Sequence, residues 1–100
     1  MKPTDISKAV RAEVYARDNG TCIYCGRQGI SNVHVFVRRS HGGMGIKENV
    51  ATLCMQCHFN YDMGKDKEHY KVKQILHEYM YKLYPNLDID NLRYNKFKHK

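Results

Sequence analysis

Long apolar runs are absent from this sequence of 100 residues. No stretch approaches the roughly 20 consecutive apolar residues that a membrane helix needs, so no membrane span is predicted. The opening residues, MKPTDISKAV, lack the hydrophobic segment of a secretory signal. Linkers and low-complexity tracts are also absent, and nothing repeats beyond one pair of cysteine motifs. These absences predict a single domain over residues 1–100 that stays in the cytoplasm.

Acidic side chains are scarce relative to basic ones. The chain has 17 Lys and Arg against 10 Asp and Glu, which gives a net charge of +7 and a pI near 9.3. Such a balance in a small domain favours an anionic partner, and nucleic acid is the commonest one. The hydrophobic content of 42% is ordinary for a globular protein and argues against wholesale disorder. A domain this small has a limited core, which a disulfide or a bound metal ion can stabilise.

The four cysteines form two Cys-x-x-Cys pairs, Cys22 with Cys25 and Cys54 with Cys57. Without an export signal, paired cysteines predict metal ligands, whereas an exported protein would use them in disulfides. Four thiolates can hold one tetrahedral Zn²⁺ ion. Such an ion would hold together the two ends of the segment between the pairs.

Helical periodicity predicts three helices. The first covers residues 4–18, with Thr4 or Asp5 as its cap, and leaves Arg17 exposed to solvent. The second begins near the second cysteine pair and runs to about Met63, where Gly64 ends it. The third covers about residues 66–84, and the tail after it ends in basic residues that are expected to be mobile or to reach toward nucleic acid.

Two short β-branched runs predict strands at residues 33–37 and 50–53. In the first strand, Val33, Val35 and Val37 would share one face, and His34 would lie on the other. A basic, glycine-rich turn follows it, with the sequence RRSHGGMG.

Four motifs in order carry a family resemblance: CIYCG, HVFVRRSHGG, ENVATLC and MQCH. Together they resemble the HNH (ββα-metal) nuclease family from Cys22 to Asp62, and GGMGIKEN is similar to small stand-alone HNH proteins common in phage genomes. The resemblance implies an α+β, treble-clef-like fold in which two strands and a helix enclose one divalent cation. Here that core would cover about residues 20–64, flanked by N- and C-terminal helices and stapled by a four-cysteine zinc site.

The resemblance also implies a second metal site. His58 matches a ligand of the catalytic ion, His34 stands at another metal-binding position, and Asp62 can add a carboxylate from the same helix face. The ion would be Mg²⁺, Mn²⁺ or a similar divalent cation. The alternatives for His58 are a zinc ligand or a plain polar residue, and for Asp62 a solvated helix acid.

Other residues of the motif would support catalysis and DNA binding. Asn49 matches the middle asparagine, whose side-chain amide is expected to bond the loop backbone and hold the histidine strand. Basic residues in and after the turn are candidates for phosphate contacts, with a solvated basic loop as the alternative. They are Arg38, Arg39, His41 and Lys47.

The position of the general base departs from the family pattern. By comparison with the family, the base position lies five residues before Ser40, and valine stands there. Val35 cannot accept a proton from water. Three explanations remain open: His34 is the base through a one-residue bulge, His41 takes over, or the nuclease is weak or inactive.

The predicted function is metal-dependent hydrolysis of DNA phosphodiester bonds by an HNH-type endonuclease, impaired by Val35, in a bacterial or phage-infected cell. A catalytically inactive HNH-fold module for DNA binding or assembly is the alternative. A plain zinc ribbon that binds a protein partner is a third reading, which leaves His34, Asn49 and His58 unexplained. Sequence reasoning leaves the oligomeric state open.

Overall fold

Three helices and a two-stranded antiparallel sheet form the fold in the computed structural model, which describes residues 2–64 and 67–94. The elements are α1 (Lys8–Arg17), β1 (Ser31–His34), β2 (Val50–Leu53), α2 (Met55–Met63) and α3 (Lys67–Leu83), with short 3₁₀ turns at Arg39–His41, Lys47–Asn49 and Ile89–Leu92. This is the predicted α+β architecture, with the ββα unit at its centre. Within the described ranges, no helix has the length and apolar character needed to cross a membrane.

The two strands pair in one continuous register. Ser31 lies opposite Leu53 and His34 opposite Val50, without an interruption between them. The prediction of β2 is confirmed, whereas β1 begins and ends earlier than the predicted 33–37. Regular pairing stops because the side chain of Asn49 takes over the N–H groups that follow, as described below.

Helix α1 begins later than predicted. Ser7 caps it, since its Oγ accepts a hydrogen bond from the N–H of Val10 at 3.1 Å. The predicted caps Thr4 and Asp5 are therefore wrong, and both lie in a turn that precedes the helix. Asn19 and Gly20 turn the chain after the helix, both with positive φ.

The end of α1 carries a buried ion pair, so the predicted exposure of Arg17 is wrong. The Nε of Arg17 lies 2.7 Å from Oδ1 of Asp18, and its Nη2 donates to the carbonyl of Val50. The Asp18 side chain is fully buried and accepts hydrogen bonds from the N–H of Thr52 and the hydroxyl of Tyr79. Burial is tolerated because both charges are paired and hydrogen-bonded. The pair joins α1 to β2 and α3.

Helix α3 packs against α2 and the core through a narrower face than predicted. Its buried residues are Val72, Leu76 and Met80, spaced four apart. Tyr70 and Leu83, which the apolar pattern placed on that face, are 63% and 40% exposed. The buried face contacts a core of apolar side chains from the first knuckle (the turn between Cys22 and Cys25), the sheet and α2. This core includes Val33, Val35, Ala51, Leu53 and Tyr61.

The first part of the tail after α3 is packed. Leu92 is buried, its carbonyl accepts the N–H of Met44, and Arg93 pairs with Gly43 in an isolated β-bridge. Apolar and backbone groups of this segment, up to residue 94, therefore close over the loop between the strands. The remainder of the tail and the predicted helix start at Asp66 lie outside the described residues.

Candidate functional site

The four cysteines meet at one point between the first knuckle and the start of α2. Their Sγ atoms all lie within 4.8 Å of one another, and none forms a disulfide. Zinc bound to four sulfurs at about 2.3 Å requires sulfur–sulfur separations of about 3.8 Å. The Sγ atoms of Cys25 and Cys54 are 3.6 Å apart, so the cluster can hold a metal such as zinc.

Local geometry favours ionisation of one thiol of the cluster and opposes ionisation of another. Burial opposes ionisation of Cys22, but backbone N–H groups, that of Cys25 first, lower the pKa of its thiol to about 7. Burial and the neighbouring thiols raise the pKa of Cys57. Four thiolates so close together repel one another, and a divalent cation removes that repulsion.

A second feature is a cleft of about 230 Å³ between the end of β1 and α2. It brings together the three residues predicted to hold the catalytic ion and the first two arginines of the basic turn. Its lining consists of Asn32, Val33, His34, Arg38, Arg39, Ser40, His58, Tyr61 and Asp62.

Helix α2 contributes His58 and Asp62 from one face. Nε2 of His58 lies 3.0 Å from Oδ2 of Asp62, one helical turn away. His58 lines the cleft, and four cysteines already supply a complete tetrahedral ligand set. The alternative of His58 as a zinc ligand therefore finds no support in the geometry.

His34, the last residue of β1, lies across the cleft from α2. Burial lowers the pKa of His34, with the nearby Arg39 adding to that effect and the carbonyl of Thr4 opposing it. The ring is therefore neutral at pH 7, the form that can bind a metal or accept a proton. Among the described residues, the donors of His34, His58 and Asp62 are not gathered as tightly as the cysteine thiols.

The neighbouring Val35 points the other way. Its side chain is 2% exposed and belongs to the apolar core, while its carbonyl accepts a hydrogen bond of 2.7 Å from the hydroxyl of Tyr61. Because the β1 register is unbroken, His34 reaches the cleft by ordinary alternation and not through a bulge. The bulge explanation is therefore wrong for the described strand.

Asn49 holds the backbone that follows β1. Its Oδ1 accepts the N–H groups of Phe36 and Val37, at 2.9 and 3.1 Å. Its Nδ2 donates to the carbonyls of Val37 and Met44, both at 3.0 Å. The side chain is fully buried, so this residue supports the arginine turn from below and does not line the cleft. These are the backbone contacts expected of it from the sequence.

Two predicted residues stand apart from the cleft. His41 is exposed at the end of the 3₁₀ turn and is not part of the lining. Lys47 lies against α1, where its Nζ is 3.6 Å from Oε2 of Glu13. Arg38 is exposed at the cleft, and Arg39 forms an ion pair with Asp5.

Sequence reasoning missed the residues that surround His34 and Val35. The carbonyl of Thr4 lies 3.0 Å from Nε2 of His34, although Thr4 was read as a helix cap. Tyr61, between His58 and Asp62 in sequence, anchors the strand backbone at Val35. No sequence pattern signals either contact, because both join segments that are distant in the chain.

A two-stranded sheet, the helix that follows it and a four-thiol cluster define a ββα-metal domain. Residues 22–62 match the family model of the HNH endonucleases, from the first cysteine to Asp62. This segment is similar to the HNH endonucleases, and the match supports a nuclease-type function. A search of curated proteins finds no match.

Proposed function

We propose that this chain is a metal-dependent endonuclease that hydrolyses DNA phosphodiester bonds in the cleft between β1 and α2. The observation that carries the proposal is the meeting of His34, His58 and Asp62 in one cleft beside Arg38. The net charge of +7 supports an anionic substrate, and HNH nucleases act on DNA.

The donors of the cleft fit a divalent cation. His34, His58 and Asp62 would hold it with two imidazole nitrogens and a carboxylate oxygen. The carboxylate suits Mg²⁺ and Mn²⁺, and the imidazoles suit ions such as Ni²⁺. When bound, such an ion supplies charge stabilisation at the scissile phosphate and at the leaving oxygen. Arg38 would contact a neighbouring phosphate, since its planar guanidinium matches phosphate oxygens.

We expect the rate of DNA hydrolysis to be low. Val35 occupies the base position implied by the family, and its side chain packs in the core. Loss of a general base costs roughly 10²–10⁴-fold in rate, while electrostatic stabilisation remains. Water would then be activated only poorly, so slow cutting is expected.

Cleavage of supercoiled plasmid by the zinc-loaded protein tests this function. With Mg²⁺, Mn²⁺ or Ni²⁺ added, the unaltered protein should nick DNA slowly. His58→Ala should abolish nicking and barely change DNA affinity, because the cleft would lose an ion ligand and keep its basic surface. His41→Ala is the matched control, since this exposed histidine lies outside the cleft. Loss of cutting in that control would instead identify His41 as the base.

A second candidate is a catalytically inactive module that binds DNA or assists assembly. The burial of Val35 favours it, because no side chain at that position faces the cleft. DNA binding with steep salt dependence but no cutting by any ion would support it. Val35→His is not expected to restore cutting, because the side chain at that position packs in the core. Undetectable DNA binding would point to a zinc ribbon for a protein partner.

A further inference from the structure

The first residues of the chain lie across one edge of the cleft. We call residues 3–6 the N-terminal strap. The carbonyl of Pro3 accepts the N–H of Gly45 at 3.0 Å, and the Asp5 carboxylate pairs with Arg39. The Ser7 cap fixes the other end of the strap to α1. The strap is therefore attached both to the loop between the strands and to a helix.

Gly45 allows the strap to pack directly on that loop. A Cβ atom at this position would lie 2.2 Å from the carbonyl oxygen of Asp5 and 3.0 Å from the Cα of Ile6. Both neighbours are backbone atoms, which cannot yield as the end of a flexible side chain can. Any larger residue at position 45 would therefore displace the strap.

The strap meets the cleft at His34. Nε2 of this ring lies 3.0 Å from the carbonyl oxygen of Thr4. A carbonyl can only accept, so Nε2 must carry the hydrogen, and in a neutral ring the free lone pair is then on Nδ1. Histidines that bind metals commonly donate their other ring N–H to a carbonyl or carboxylate, which fixes the tautomer.

We infer that the N-terminal strap is a positioning element for the cleft. Through the Thr4 carbonyl it holds His34 with hydrogen on Nε2, and it leaves Nδ1 as the nitrogen for a divalent cation. The inference rests on the proposed function, because the choice of nitrogen matters only if the cleft takes an ion. The Asp5–Arg39 ion pair and the glycine at position 45 are the parts of the chain that keep the carbonyl in place.

The tautomer is the first readout. Long-range ¹H–¹⁵N NMR spectra of the zinc-loaded protein, with ¹⁵N-labelled histidine, distinguish hydrogen on Nε2 from hydrogen on Nδ1. His34→Ala assigns the signals. The unaltered protein should show a single His34 form with hydrogen on Nε2. Gly45→Ala and Asp5→Ala should each give a mixture of tautomers. Hydrogen on Nδ1 in the unaltered protein would overturn the inference.

Affinity for Mn²⁺ is the second readout, measured by electron paramagnetic resonance on the zinc-loaded protein. Second-sphere partners of metal-binding histidines are worth about 10–100-fold in affinity, so each strap variant should bind Mn²⁺ at least about 10-fold more weakly. Asp5→Ala serves if Gly45→Ala does not fold, because it alters only a side chain. Glu13→Ala is the matched control, since it removes a surface ion pair outside the cleft and should bind Mn²⁺ normally.

The two readouts separate the possible failures. Equal Mn²⁺ affinity in the strap variants and the unaltered protein would overturn the inference and leave the proposed nuclease intact. Tighter binding by the variants would also overturn it, and would show that the strap masks the site. An unaltered protein that binds no Mn²⁺ would overturn the proposed function and the metal-directed role of His34 together.

Discussion

At the scale of single residues, buried polar side chains decide the shape of the cleft. Regular strand pairing of β1 ends at His34. Beyond it, the side-chain amide of Asn49 forms hydrogen bonds with four backbone groups. Arg38 and Arg39 follow this segment directly. Asn49 therefore affects the cleft indirectly, because it fixes the backbone that carries the two arginines.

Asn49→Ala should destabilise the protein by about 2–4 kcal/mol, because buried N–H and C=O groups would lose their partners. Chemical denaturation of the zinc-loaded protein measures this change in the free energy of unfolding. Asn60→Ala is the control, since the Asn60 side chain takes part in one exposed hydrogen bond, with Gln56. Its effect should stay within about 0.5 kcal/mol. Equal effects of the two substitutions would contradict a structural role for Asn49.

His77 provides a prediction of pH dependence away from the metal sites. Burial, and then the charge of Lys73, lower the pKa of His77 in the folded protein, and its Nε2 has no hydrogen-bond partner. The unfolded chain therefore binds more protons below about pH 6.5, so the free energy of unfolding falls as the pH drops through this range.

His77→Phe should weaken that pH dependence, because the ring that folding keeps neutral would be gone while its packing on Phe36 is retained. Urea unfolding at pH 7.5 and pH 5.5 measures the difference for each protein. The acid sensitivity of the metal site is common to both and cancels in the comparison. An equal loss of stability in the two proteins would contradict the assigned direction.

At the scale of elements, the loop between β1 and β2 carries Arg38 and Arg39, the two arginines that line the cleft. It turns at Arg39–His41 and closes where the backbone of Gly43 meets Val37 and Arg93. A Cβ at Gly43 would lie 1.8 Å from the carbonyl oxygen of Val37, so this crossing needs glycine for lack of space. The strands were predictable from their β-branched runs, but this crossing was not.

Gly43→Ala should be more destabilising than Gly26→Ala. A methyl group at position 26 meets nothing within 4 Å, although its positive φ disfavours alanine by roughly 1–2 kcal/mol. A methyl group at position 43 collides with backbone on the far side of the loop. Thermal unfolding of both variants checks the order. A smaller shift for Gly43→Ala than for Gly26→Ala would show that the loop can open without cost.

At the scale of the whole molecule, the cysteine cluster joins the knuckle after α1 to the junction of β2 and α2. A metal there would hold both ends of the segment that carries the cleft. The buried pair of Arg17 and Asp18 makes a second connection, from α1 to β2 and α3. Small domains with limited cores depend on such connections.

Removal of zinc should unfold much of the domain. Structural zinc sites in small domains contribute about 10–16 kcal/mol, which is comparable to the whole stability of about 5–15 kcal/mol of a typical domain. Circular dichroism during chelation should show loss of helix, and added zinc should restore it. Cys54→Ser should behave like the chelated protein. Identical thermal unfolding with and without metal would contradict a structural role for the cluster.

The clustering of the cysteines and the order of the elements could be predicted from the sequence alone. The spacing of the cysteines predicts a metal site without knowledge of distant contacts. Helix and strand periodicities are likewise local properties of the chain. The pairs Cys22–Cys25 and Cys54–Cys57, the strand at 50–53 and the helix ending at Met63 followed from such local patterns.

The tertiary structure alone decided which side chains meet. It turned His34 to the cleft and Val35 to the core, buried Arg17 beside Asp18, and brought the Thr4 carbonyl to the His34 ring. These outcomes depend on contacts between segments far apart in the chain, and on the competition of each buried polar group for a partner. Neither spacing nor periodicity contains that information.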